Sequence, residues 1–358
     1  MDHAARIETA GSLLKANDVD ALLVTDLTNV RYLTGFSGTN GQVLLTPPGA
    51  TFFTDPRYDA RSHSLVDAAD IVIYANRLTE ALPGPLSAAN VTRLGVEAGT
   101  MTLATRDDLA GRLEEVELVA VKDLAEGLRR TKDDRELDLI REAVSIADRT
   151  FAWVLDRLAP GAAERDIALD IEVHMRQAGA EAVSFDPIVG SGPLSAHIHH
   201  IASDRTLEKG DLVLLDFGCR FEGYCSDLTR TVVLGAATDE QLRLYSLVLE
   251  AQRAALAALG PGIGGAEADG VARAVIDRAG HGERFGHGLG HGVGLDIHEQ
   301  PTLNRISEDT LQPGHVVTVE PGVYLPGIGG IRIEDCVAVT EDGCEVLGSA
   351  PKDTLTEL

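Results

Sequence analysis

The chain has 358 residues, 44% of them hydrophobic, and a formal charge of −25 at pH 7. That length accommodates two domains with separate cores, and no apolar run approaches the ~18 residues of a membrane helix. The acidic surface repels phosphate backbones and anionic lipid, which excludes nucleic acid and membrane as partners; the first twenty residues carry charges throughout and lack a signal peptide's apolar centre, so a soluble cytoplasmic protein is expected.

Residues 4–17 read as an amphipathic helix and 21–25 (ALLVT) as a buried strand. Asn40-Gly41 is a hairpin-type turn leading into GQVLL. ATFFTD, IVIYA, LGVEA and VELVAV continue as strands with helical stretches between them. This mixture predicts a compact α/β domain over residues 1–124. The pattern then changes. Thr131 with Asp134 resembles a capping box, and apolar residues from Leu137 to Leu158 recur at helical spacing until Pro160-Gly161.

Residues 125–358 contain an internal duplication. A long helix ends at Pro160-Gly161, and another, over 238–259, ends at Pro261-Gly262. Shorter helices follow each, over 164–177 and about 266–278. Each half then has a strand with an acid six residues after a glycine: Gly210 with Asp216, and Gly314 with Glu320. Each strand turns and returns past a second acid, Asp227 in the first half and Glu334 in the second. The four cysteines, Cys219, Cys225, Cys336 and Cys344, form no C-x-x-C pair and read as reduced, inert strand residues.

Between the shorter helix of the second half and the strand of Glu320 lies FGHGLGHGVGLDIHEQP, with His287, His291 and His298. Five glycines in the nine residues 286–294 rule against a helix. The backbone is expected to be extended and close to something, with His287 and His291 on one side. Four carboxylates set among apolar residues are costly unless they share protons, pair with bases such as Arg230 and Arg332, or bind cations. Two divalent ions would balance four negative charges, and His291 can add a neutral nitrogen. One imidazole with several oxygens and no thiolate suits manganese, cobalt or zinc.

LLDFG, SDLTRT, GHGVGLDIHE, VTVEPGVY and GIRIED, in that order, resemble the metal-site motifs of the pita-bread metallopeptidases, in the branch of Xaa-Pro aminopeptidases and Xaa-Pro dipeptidases (prolidases). NVRYLTGFSG and the region around it are similar to that branch's N-terminal domain, so the resemblance covers nearly the whole chain. It implies an α/β creatinase-like N-terminal domain followed by an α+β pita-bread domain with a pseudo-twofold repeat. It also implies two divalent metal ions, manganese foremost with cobalt or zinc as alternatives, and a homodimer. Asp216 would bind one ion, Asp227 and Glu334 would bridge both, and His291 and Glu320 would complete the second. Glu320 resembles the acid that shuttles a proton, and His298 the histidine that steadies the scissile carbonyl. His287 and Arg332 match further members of the site. The segment SGPLSAHIHHIASDR departs from the family's leucine-proline-histidine pattern: Ile198 stands where proline is expected. Counting back from Asp204-Arg205 puts His199 in the histidine register, with His197 and His200 as alternatives.

The activity implied is hydrolysis of the bond before proline in peptides with proline at the second position, by attack of a metal-bridging hydroxide. That bond is a tertiary amide without an N–H. The short N-terminal domain and the GFSG-type sequence lean toward an Xaa-Pro aminopeptidase of the bacterial aminopeptidase P type, with an Xaa-Pro dipeptidase as the alternative. A non-catalytic peptide-binding protein on the same fold is the rival of another class.

Overall fold

A computed structural model describes all 358 residues. The chain divides into two compact units, Met1–Arg129 and Arg130–Leu358. The division falls past the expected residue 124, because the helix Leu124–Arg129 belongs to the first unit: Asn29 Nδ2 donates to Glu126, and Arg129 Nη1 donates back to the Asn29 side chain. No helix is long and apolar enough to cross a membrane.

The first unit is built on a six-stranded mixed sheet, and the expected strands all join it. In spatial order these are Asp70–Ile73, Gly49–Thr54, Gln42–Thr46, Ala21–Val24, Arg93–Glu97 and Glu117–Val121. Every residue of Ala21–Val24 is buried, as a central strand covered on both faces requires. The expected first helix is shorter, His3–Ser12, with a 3₁₀ turn over Lys15–Asn17. Asn40-Gly41 makes no hairpin. The tight turn lies instead between Thr46 and Gly49, which pair across Pro47-Pro48. Asn40 turns its side chain to Asp55 and Tyr74. NVRYLT forms part of the helix Leu27–Thr34, capped by Asp26, whose side chain accepts from Thr28 and Asn29 N–H.

The second unit repeats one motif twice. Its first helix, Asp134–Leu155, begins in a capping box formed by Asp133 and Glu136, two residues after the Thr131 expected there. Its counterpart, Asp239–Ala258, begins in a Thr238–Gln241 box. The second helices are Glu164–Gln177 and Gly265–Arg278. The repeat extends to single hydrogen bonds. Gly161 N–H donates to Leu207 O and Gly262 N–H to Leu311 O, both at 2.9 Å. Gly210 and Gly314 take φ of +94° and +85°, left-handed values open to glycine, and their N–H groups donate to Leu234 O and Val339 O. Each half buries its own apolar cluster between its helix pair and its sheet: Phe151, Ile171, Val213 and Leu215 in the first, Val248, Ile276, Val317 and Val337 in the second.

Candidate metal centre

The acids are delivered by strand ends. Asp216 lies on Leu212–Phe217, opposite Thr229 of the antiparallel strand Leu228–Val233, and Asp227 immediately precedes that strand. In the second half Val319 pairs with Asp335, which places Glu320 and Glu334 at adjoining ends of Val316–Val319 and Asp335–Thr340. The halves are stitched together here: Glu334 N–H donates to Thr229 O at 3.1 Å, and Arg230 Nη1 donates to Glu334 O at 2.5 Å. The glycine run supplies a strand, Gly290–Gly292, between Glu299–Leu303 and Val316–Val319. A Cβ on Gly290 would fall 2.0 Å from Thr318 O, so glycine is what lets this strand approach closely enough to bring in His291.

Asp216, Asp227, His291, Glu320 and Glu334 line one cavity of about 800 Å³. Potential ligand atoms of Asp227, His291 and Glu334 lie within 4.8 Å of one another. His291 Nε2 stands 3.6 Å from Asp227 Oδ2 and 3.6 Å from Glu320 Oε1. Its Nδ1 is 3.0 Å from Gly292 O. A carbonyl only accepts, so Nδ1 carries the proton and Nε2 presents its lone pair to the acids, the tautomer a metal-binding imidazole uses.

Salt bridging to arginine accounts for only one of the four acids. Arg332 Nη2 donates to Asp216 Oδ2, and Arg332 also reaches Thr229 Oγ1 at 3.0 Å and Tyr324 Oη at 2.8 Å. Arg230 pairs with Asp335 instead. Burial pushes the carboxyls of Asp227 and Glu334 well up; Glu334 and then Asp216 add to it for Asp227, as Glu320 and then Asp216 do for Glu334. Burial also raises Glu320 to about 8, against the pull of Arg332. Asp216 Oδ1 and Asp227 Oδ1 are buried with no hydrogen-bond partner. Orphaned carboxylate oxygens facing other acids are strongly unfavourable without a cation. The donor set fits hard or borderline divalent ions.

This clustering has a measurable consequence. The folded-state values of Asp227, Glu320 and Glu334 lie above the ordinary 3.8 and 4.5. From that range up to about 8, the folded chain therefore holds protons that the unfolded chain has released. These groups make stability fall as pH rises through that window. A bound cation displaces the protons. The gain in Tm on adding Mn²⁺ to chelator-treated protein is thus expected to grow from about pH 5 to about pH 8. A gain that is flat or shrinks across a scanning-fluorimetry series would contradict the assignment.

His199, His200, His287, His298 and Arg332 line the same cavity, whereas His197 does not. The rings of His291 and His298 meet edge to face at 4.4 Å. Burial, then the neighbouring His199, lowers the pKa of His298. His287 has both nitrogens engaged: Nδ1 donates to Gly288 O, and Nε2 accepts from Tyr324 Oη, each at 2.8 Å. Burial and then Arg332 lower its pKa to about 3, so the ring is neutral.

Sequence reasoning passed over three supporting residues. Thr229 Oγ1 donates to Glu334 Oε2 at 2.5 Å, Thr318 Oγ1 reaches Glu320 Oε1 at 3.3 Å, and Tyr324 links Arg332 to His287. All three sit inside SDLTRT or VTVEPGVY, so the motifs held the signal.

Residues 138–341 match metallopeptidase family M24, and residues 6–131 match the creatinase/prolidase N-terminal domain. An Xaa-Pro dipeptidase from Bacillus anthracis superposes with a TM-score of 0.97 at 39% identity, covering 100% of both chains. An X-Pro aminopeptidase from Thermotoga maritima gives 0.91 at 34% identity, over 96% of this chain and 99% of that one. The Xaa-Pro dipeptidase of Pyrococcus horikoshii is 35% identical over 341 residues, 95% of each chain.

Proposed function

The chain belongs to metallopeptidase family M24, and from that premise we propose that it is an Xaa-Pro dipeptidase that splits the bond before proline. The observation that carries the hydrolytic reading is the convergence of four carboxylates and the lone pair of His291 on one cavity, with two buried carboxylate oxygens unpartnered. The sequence leans toward the aminopeptidase. The dipeptidases from Bacillus anthracis and Pyrococcus horikoshii, similar over nearly their whole length, favour the dipeptidase instead. The Thermotoga maritima aminopeptidase keeps the aminopeptidase as the second reading.

Asp216, Asp227, His291, Glu320 and Glu334 would hold two divalent cations, with manganese the first candidate. Such ions, when bound, supply Lewis-acid activation of water and of a carbonyl oxygen. The remaining work falls to the protein. Glu320, a carboxylate on the cavity wall once cations displace its proton, would take a proton from water and return it to the departing proline nitrogen. That nitrogen, once a tertiary amide, cannot leave as an amine without one. His298 and His199, which line the cavity, would donate to the carbonyl oxygen as negative charge develops on it. The chain Asp216–Arg332–Tyr324–His287 fixes the wall of the site. A homodimer belongs to the same proposal and is read by sizing the protein in solution.

Turnover of Xaa-Pro and Xaa-Pro-Yaa peptides with added Mn²⁺, Co²⁺ and Zn²⁺ tests the proposal. A dipeptidase is expected to favour Xaa-Pro by at least about tenfold in kcat/KM, about 1.4 kcal/mol of discrimination. Equal or better cleavage of the tripeptides would restore the aminopeptidase. No cleavage of either, with no thermal stabilisation by the ions, would leave the peptide-binding reading.

A further inference from the structure

One buried acid near the site takes no part in holding a cation. Glu164 heads the helix Glu164–Gln177, and its side chain is fully buried. Its Oε1 accepts from Ser191 N–H at 2.8 Å and Ser191 Oγ at 2.6 Å. Its Oε2 accepts from His200 Nε2 at 2.8 Å, Ser203 N–H at 3.1 Å and Ser203 Oγ at 2.7 Å. Burial alone would raise its pKa, but hydrogen bonds from Ser191, His200 and Ser203 outweigh that and hold it below the usual value. Glu164 is therefore a carboxylate with every near contact a donor.

The groups it joins are informative. Ser191 ends the strand Ile188–Ser191, in which Ile188 lies opposite Asp216. His200 and Ser203 belong to the segment 197–203, which carries His199 and forms neither helix nor strand. The backbone holds that segment at few points: His197 N–H to Leu194 O at 3.0 Å, His200 N–H to His197 O at 3.2 Å, and Ser203 O from Arg165 N–H at 3.1 Å. Its N-terminal side follows from the 3₁₀ turn Gly192–Ala196. Its C-terminal side is tied down through Glu164. A segment without a ladder of its own takes its shape from such anchors.

We propose that Glu164 and His200 are positioning residues for His199: the Glu164 carboxylate couples the His199 segment to the strand beside Asp216 and so sets where the His199 ring stands in the cavity. This rests on reading His199 as the substrate-side histidine. His200, one of the alternatives to it, has its Nε2 committed to Glu164. A displacement of about 1 Å at a reacting centre can cost about 10²-fold in rate.

The test uses the full chain and four variants: His200→Phe, which loses the donor; His200→Gln, which keeps an N–H near the same place; His199→Ala; and the double variant His199→Ala/His200→Phe. Hydrogen exchange on chelator-treated protein is expected to speed up about tenfold across residues 198–202 in His200→Phe. In His200→Gln it is expected to stay near wild type. With Mn²⁺ and an Xaa-Pro dipeptide, His200→Phe is expected to lose about 10- to 100-fold in kcat/KM at unchanged metal content, with His200→Gln restoring most of it. In the His199→Ala background the same change is expected to cost less than about twofold, since residues acting through one another are not additive. Unchanged exchange in His200→Phe, or a full additive loss in the double variant, overturns the inference. If the wild type cleaves no Xaa-Pro peptide, the proposed function falls, and exchange alone then decides whether Glu164 and His200 hold the segment.

Discussion

Asp227→Asn is expected to abolish peptide cleavage while making the chelator-treated protein more resistant to heat. The two effects have one cause. Asp227 is 6% exposed, has an unpartnered Oδ1, and is pushed up by burial and then by Glu334, Asp216 and Glu320. Without a cation it is a source of repulsion, and each pKa unit of such a shift is worth about 1.4 kcal/mol. A neutral amide of the same shape removes the charge and can donate to a neighbouring carboxylate. A gain of about 1–2 kcal/mol is expected, a rise of a few degrees in Tm at about 2–4 °C per kcal/mol for a domain of this size. With Mn²⁺ present the order reverses, because the wild type gains the cation and the variant loses a ligand. Removing one oxyanion donor already costs about 10²–10³ in kcat. Losing a ligand, and with it a cation, is expected to exceed that. A variant that keeps wild-type turnover, or whose metal-free form melts lower, would mean that Asp227 is held by something other than a cation.

The second large effect lies behind the site. Arg230 is 2% exposed and uses all five of its N–H groups. Nε donates to Pro351 O at 3.2 Å, Nη1 to Thr229 O at 2.9 Å and Glu334 O at 2.5 Å, and Nη2 to Asp335 Oδ1 at 2.7 Å and Ala350 O at 2.8 Å. Arg230→Met is expected to cost about 3–5 kcal/mol, the range for removing one partner of a buried ion pair. Four carbonyls would lose a donor, and Asp335 would keep only Lys352 and Gln252. Tm is expected to fall by about 10 °C. Arg230→Lys, which keeps the charge but offers three donors, is expected to fall between the two. Thermal melts measure this directly. A loss under about 1 kcal/mol would show that the arginine neither stitches the two halves together nor carries Asp335.

Much of the site was legible because its chemistry is written in local patterns. Asp216 and Glu320 each stand six residues after a left-handed glycine. That spacing marks the repeat, and the repeat predicts two hairpins with two acids each. The five-glycine run announced a close backbone approach, and Gly290 against Thr318 is that approach. Periodicity likewise found the four helices of the second unit, missing the first cap by two residues because Asp133 competes with Thr131 for that role. Asn40-Gly41 misled because a two-residue turn signal carries no knowledge of its surroundings. There Asp55 and Tyr74 compete for the asparagine side chain.

Residue types and their order along the chain were therefore enough to specify the two units, the duplication and the five candidate ligands that meet in one cavity. Tertiary structure alone decided which arginine meets which acid. Arg230 and Arg332 stand at similar distances along the chain from the acids, yet one turns to Asp335 and the other to Asp216. It also separated His197, which stays outside the cavity, from His199 and His200, which line it, three neighbours that no spacing rule separates. Glu164, distant in sequence, engages the Nε2 of His200. Hydrogen bonds between residues far apart in the chain depend on how strands are laid beside one another, and no local pattern of residues encodes that placement.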